Sequence, residues 1–203
     1  HIRLTLTRGV KVTSGMDPRL NTAGPTLIIL AEHKEPVYDK TGLSLITSSV
    51  RRPSPDVLDP KIHHCNLIQS ILAKIEANHA GADDALMLDS RGFVAETNAT
   101  HLFIVDDGLV VTSRLVACPE GITREVVLGL CRDNDIPHEV RDLSLTEVYR
   151  AGEMFCTGTM GELAPVIQVD GRTIGDGEIG PVTRRLAKFF DTCVAAEAEP
   201  VLD

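Results

Sequence analysis

The most constraining stretch runs from residue 84 to residue 112. Short apolar segments alternate there with turn signals. Ala85-Leu86-Met87-Leu88 precedes Asp89-Ser90-Arg91-Gly92, and Phe93 to Thr97 returns as a partner. His101 to Val105 and Leu109 to Thr112 flank Asp106-Asp107-Gly108. Runs of four to six apolar or β-branched residues separated by Asp-Gly-type turns read as antiparallel hairpins. A chain with such a centre must bury a sheet.

The flanking segments decide what kind of sheet. Ile2 to Gly9 alternates like a strand, the continuous run 26–31 reads as a buried strand, and 43–50 reads as another. A turn or loop is expected over 36–42. Arg51-Arg52-Pro53-Ser54-Pro55 cannot be helical. From about Asn66 to Ala80 the spacing of Leu67, Ile68, Ile71, Leu72 and Ile75 predicts a helix that buries this face, closed by Gly81. Gly121 to about Asn134 predicts a second helix with Val126, Val127, Leu130 and Cys131 inside. Ser144-Leu145-Thr146-Glu147 is a capping box for a short helix. Strands are expected at 138–143, 153–157, 164–169 and 172–174. A last amphipathic helix is expected from Thr183 to about Ala196, with residues 195–203 frayed. Without regular βαβ alternation, the class is α+β. At 203 residues one large domain over 1–203 suffices.

Composition removes several partner classes. The net charge of −9 and pI of about 5.2 argue against nucleic-acid and anionic-membrane partners. Aromatics make up 3%, with no Trp, which leaves little for stacking on bases. Five scattered cysteines without a CxxC pattern read as reduced thiols of a cytoplasmic protein, small residues of its core. No apolar run approaches a membrane span. His63-His64 has no third ligand at a metal spacing, so no metal is expected. Arg184, Arg185 and Lys188 read as a solvated helix face.

Three polar positions interrupt this frame. Glu96 stands in a strand with apolar neighbours, and a carboxylate there needs a cationic partner. Gly121-Ile122-Thr123-Arg124 opens a helix whose first N–H groups can receive an anion. Thr157-Gly158-Thr159-Met160-Gly161 follows a strand with small and hydroxyl residues, again able to present N–H groups. Lys61 precedes the apolar helix after a proline, where its amine can point into a cavity. An amine, a carboxylate for a ring nitrogen and two anion-binding turns are what pyridoxal 5'-phosphate requires.

In these stretches the chain resembles the class IV (fold type IV) pyridoxal-phosphate aminotransferases, in texture the branched-chain and D-amino-acid enzymes. The matching segments are 2–9, Lys61 with Asn66-Leu67, 92–97, 101–103, 121–124, 158–166 and 180–183. The resemblance implies a large cofactor-binding domain with a barrel-like core of mixed strands and flanking helices. It also implies an upstream small domain, missing from this chain, that carries a phosphate-gripping arginine. Lys61 would be the Schiff-base lysine, and Glu96 would face the pyridine nitrogen. Ile122, Thr123 and Thr159 would bind the phosphate. Met160 and Gly161 would lie near the substrate carboxylate. Arg51 or Arg52 would match a family arginine. The implied reaction moves an amino group from an amino acid, a branched-chain L-amino acid being favoured, to a 2-oxo acid, within a homodimer. A D-amino-acid aminotransferase, an aminodeoxychorismate-lyase-like enzyme and a non-catalytic scaffold or binding protein are the alternatives. Two local departures stand out: Leu67 occupies a position usually held by tyrosine, and Lys61 to Asn66 is a longer interval than usual.

Overall fold

The computed structural model describes residues 1–34, 37, 38 and 40–199. They fall into two compact units, residues 1–36 and 37–203. In the first, β1 (Ile2–Thr7) pairs antiparallel with β2 (Thr26–Ala31), Ile2 opposite Ala31 and Thr7 opposite Thr26. The expected burial of β2 does not occur. Leu27, Ile28, Ile29 and Leu30 are about half exposed, because a two-stranded ribbon has no second layer within its own unit.

The second unit holds the large sheet. Its strands are β3 (Leu43–Thr47), β4 (Asp84–Leu88), β5 (Val94–Thr97), β6 (His101–Asp106), β7 (Leu109–Ser113), β8 (His138–Arg141), β9 (Glu153–Gly158), β10 (Glu162–Val169) and β11 (Arg172–Thr173). The order is β5-β4-β3-β10-β9-β6-β7-β8, with β11 on β10. The pairs β3–β4, β3–β10 and β7–β8 are parallel and the others antiparallel. The sheet curls until Ser113 Oγ at the end of β7 donates to the Ala95 carbonyl of edge strand β5. This is the α+β class that the strand pattern predicts, with the barrel-like core that the resemblance implies.

The helices are α1 (Pro55–Leu58), α2 (Ile68–Ala80), α3 (Ile122–Asp133), α4 (Leu145–Arg150) and α5 (Pro181–Glu197). Residues 51–54 are extended, and Pro55 takes the first helical position of α1, where its missing N–H costs nothing. One core layer gathers Leu45, Leu86, Leu102, Met154 and Leu143. The other packs α3 and α5 on the sheet through Val127, Cys131, Leu186 and the stacked pair Phe103–Phe155, with ring centroids 5.0 Å apart. Val126 and Leu130 of the expected inner face are only partly buried. Thr123, Arg124, Val127, Leu128 and Cys131 fill the deeper positions. The Ser144–Glu147 capping box forms in both directions. Gly81 closes α2 in the left-handed region at φ +71°.

The face of α2 is a correction. Ala73 and Ala77 are the buried residues, packed on Ala85 and Met87. Leu67, Ile68, Ile71, Leu72 and Ile75 are 45–56% exposed. Small residues let the helix lie close to β4, so the bulky row turns outward. Cys118, Cys131 and Cys156 are core residues, Cys193 is half-buried, and Cys65 is exposed, against the expectation for it. The tail expectation partly lies outside the described residues: α5 runs to Glu197, and residues 200–203 are not described. The loop at 36–42 likewise includes two undescribed positions, 36 and 39.

Candidate active site

Glu96 lies in β5 between neighbours that are all buried, and is itself 4% exposed. Such a carboxylate needs a cation, and Arg52 supplies it: Nη2 forms an ion pair with Glu96 Oε1. The Arg52 guanidinium is fixed on two further sides. Nη1 donates to Ser70 Oγ at 3.0 Å, and Nε donates to the Ala117 carbonyl at 3.2 Å. Burial pushes the Glu96 carboxyl up to about 8, while the Arg52 charge and hydrogen bond pull the other way. Glu96 Oε2 lies 3.9 Å from His101 Nε2. That contact is not an ion pair. Burial lowers the His101 pKa against a raising hydrogen bond at Pro119, and the charges of Arg124 and Arg52 lower it further. The neutral ring uses Nε2 to donate to the Pro119 carbonyl at 2.8 Å.

Beside Glu96 opens a cavity of about 240 Å³. Its walls are the start of α3 (Gly121, Ile122, Thr123, Arg124), the end of β9 with its turn (Thr157, Gly158, Thr159), and His63, Ala99, His101, Pro119 and Glu120. No side chain caps the N-terminus of α3. Its N-cap must be glycine: a Cβ on Gly121 would come within 2.5 Å of the His101 ring. Two buried polar atoms on this wall, Arg124 Nε and Thr157 Oγ1, have no hydrogen-bond partner among the described residues.

Glu96, Ile122, Thr123 and Thr159, expected from the sequence to work together, therefore line one cavity. Lys61, Met160 and Gly161 are not among its walls. Lys61 is exposed, with its backbone N–H on Asp59 Oδ1 at 3.0 Å. The buried Cys118 thiol is pushed up to about 12 by burial and by Glu96, against the cations of Arg124, Arg52 and Lys61. His63 takes the wall position instead and also lines a neighbouring cavity of about 70 Å³. The Met160 carbonyl accepts from the Val37 N–H at 3.2 Å, and Gly161 lies against the Tyr38 ring. Two neighbours of Glu96 were not singled out by the sequence reading. Arg52 shared its position with Arg51, and His101 looked like an ordinary strand residue. Only the fold distinguishes them.

The curled mixed sheet, the helix start opposite it and the buried carboxylate between them define the class. The Amino-transferase class IV family model matches residues 1–169, and the chain belongs to that family. Among named relatives, it is 52% identical over 202 residues to branched-chain-amino-acid aminotransferase-like protein 2 of Arabidopsis thaliana, covering 99% of this chain and 36% of that protein. It is 40% identical to a putative branched-chain-amino-acid aminotransferase of Methanocaldococcus jannaschii, covering 94% of this chain and 66% of that one. Among solved structures, it superposes with a TM-score of 0.86 on the branched-chain aminotransferase of the thermophilic archaeon Thermoproteus uzoniensis with norvaline. That match has 29% identity and covers 98% of this chain and 65% of that one. A second superposition, on the Thermobaculum terrenum branched-chain amino acid aminotransferase in its PLP form, has a TM-score of 0.85 at 28% identity, covering 97% of this chain and 65% of that one. The chain thus spans roughly one to two thirds of the length of these proteins.

Proposed function

We propose that this chain carries the pyridoxal 5'-phosphate site of an aminotransferase that moves an amino group from a branched-chain L-amino acid to a 2-oxo acid. The observation that carries the reading is the meeting of Glu96, Thr123 and Thr159 in one cavity. The residues present fit the cofactor. The α3 start offers uncapped N–H groups beside Thr123 and Thr159 on the same wall. Thr123, Thr159 and the backbone at Ile122 would receive the phosphate. Glu96 would hold a proton at the ring nitrogen through Oε2, with Oε1 already engaged by Arg52. When bound, the cofactor supplies an electron sink for the substrate Cα. The turn at Met160 and Gly161 is proposed to approach the substrate carboxylate.

Lys61 is proposed as the covalent anchor and proton carrier. Its side chain must swing inward from its exposed position to do so. A second reading rests on His63, which already lines the cavity: the imidazole moves the proton and the cofactor is held without a covalent bond. Borohydride reduction of the chain loaded with pyridoxal phosphate, followed by peptide mapping, tests both. A pyridoxyl label on Lys61 supports the first. Cofactor retained with no label supports the second. A label on Lys74 or Lys188 removes both.

A symmetric homodimer in the cytoplasm completes the proposal. No helix among the described residues is long and apolar enough to cross a membrane. The outward row of α2, Leu67 to Ile75, is the apolar surface a second copy would cover. The resemblance further suggests that residues 1–203 act as the large domain beside a separate small one.

A further inference from the structure

His101 opens β6 on the cavity wall, buried, with Thr157 of β9 opposite it in the sheet. Its ring meets three parts of the site. Nε2 donates to the Pro119 carbonyl at 2.8 Å, in the segment that leads into α3. The same nitrogen lies 3.9 Å from Glu96 Oε2, too far for a hydrogen bond but close enough to pack. The other edge of the ring lies against Gly121, where a Cβ would stand 2.5 Å from both Cε1 and Nδ1. Among the described residues, no hydrogen bond or ion pair joins Glu96 directly to the start of α3. The imidazole is what stands between them. Burial disfavours a charge on it, ahead of the opposing Pro119 hydrogen bond, and the cations Arg124 and Arg52 act in the same sense as burial. A neutral ring separates the two sides without competing for Glu96 Oε2, whereas a cation at that place would pair with it.

We propose that His101 is the positioning residue of this cavity: its ring is the spacer that sets the distance between the Glu96 carboxylate and the start of α3. The imidazole is rigid, tethered at Pro119 and flanked by Gly121, so it holds one separation where a flexible side chain would allow several. What that separation serves rests on the function proposed above. In pyridoxal 5'-phosphate a short covalent frame joins the ring nitrogen to the phosphate. The two protein ends that receive them must therefore stand at one distance for both to be engaged at once. A ligand that occupies only one end is indifferent to it. The glycine at 121 is the other half of the fit, since it lets the ring lie directly on the backbone at the helix start.

The test compares three probes on the full chain by calorimetry: pyridoxal 5'-phosphate, which spans both ends, pyridoxal, which lacks the phosphate, and inorganic phosphate, which lacks the ring. His101→Ala is expected to weaken pyridoxal phosphate about tenfold, while pyridoxal and inorganic phosphate each stay within about twofold, because only the joined ligand senses the spacing. His101→Leu keeps bulk without the planar ring or the tether, so it serves where His101→Ala fails to fold. Its expected loss has the same selectivity and is severalfold. Equal weakening of all three probes marks a merely structural residue and overturns the inference. Pyridoxal phosphate affinity within about twofold of the parent in the folded variants overturns it too. A parent chain that takes up no pyridoxal phosphate defeats the function proposed above, and the spacer is then judged without ligand, by unfolding midpoints. Gly121→Ala is expected to lower the midpoint in the parent background and to leave it unchanged or raised in His101→Ala, where no ring stands in the way of the methyl. An equal loss in both backgrounds removes the contact on which the spacer depends and overturns the inference.

Discussion

Arg52 is clamped against Glu96 inside the second unit, with side-chain exposures of 13% and 6%. The pair joins the segment before α1 to strand β5, and Ser70 and the Ala117 carbonyl hold the guanidinium from its other sides. Two influences compete at Glu96. Burial raises its pKa to about 8, and Arg52 lowers it. Burial is the larger influence, and Arg52 holds back part of the rise.

The pH dependence follows from that sign. The folded pKa of Glu96 lies above the unfolded value of about 4.3. Its contribution to stability is fully present below the unfolded pKa and is lost as pH rises through about 8. Urea titrations at pH 5, 6.5 and 8.5 should show Glu96→Gln losing less stability than the parent across this range. Parallel curves for the two proteins would contradict the assignment.

Removing Arg52 exposes the same linkage from the other side. Arg52→Met leaves Glu96 without its cation, and a broken buried pair costs about 3–5 kcal/mol when the remaining group is charged. The loss should therefore be largest above pH 8 and much smaller at pH 6. The double variant Arg52→Met/Glu96→Gln should recover most of it. A loss independent of pH would mean that Arg52 acts through packing alone.

Two glycines of one stretch should respond in opposite directions. Gly121→Ala drives a methyl into the His101 ring and should destabilise by about 1–3 kcal/mol. Gly129→Ala, inside α3, meets only Arg132 Nη2 at 3.7 Å and should stabilise by about 0.5–1 kcal/mol. Thermal or denaturant unfolding of both variants checks the pair. An unaffected Gly121→Ala would remove the steric reason for glycine at the start of α3.

Much of this was legible in the residues. The hairpins, the α3 start at Gly121 and the capping box at Ser144 carry local signals, and local hydrogen bonding decides them. Glu96 announced itself by breaking an apolar strand. The row Leu67 to Ile75 misled because periodicity gives the amphipathic axis but not which side is covered; Ala73 and Ala77 take the covered side, as small residues allow close approach to β4. The choice of Arg52 and the wall position of His63 depend on how the segment from Arg51 to Leu67 folds against α3. That is a long-range matter, with no local period to read.

The exposed row of α2 yields its own test. Ile68→Asn, Ile71→Asn and Ile75→Gln together touch no buried position. They should leave the far-ultraviolet dichroism unchanged and shift the chain from dimer to monomer in light scattering. An unaltered molar mass in the triple variant would move the proposed interface elsewhere.

The central claim is that the cavity between Glu96 and the start of α3 accepts pyridoxal 5'-phosphate. Its most direct test is a spectroscopic titration of the full chain with that cofactor, repeated with inorganic phosphate present. The account predicts saturation at one cofactor per chain, competition by phosphate, and a changed absorption band in Glu96→Gln. Uptake that does not saturate, or that is indifferent to phosphate and to Glu96→Gln, would contradict it.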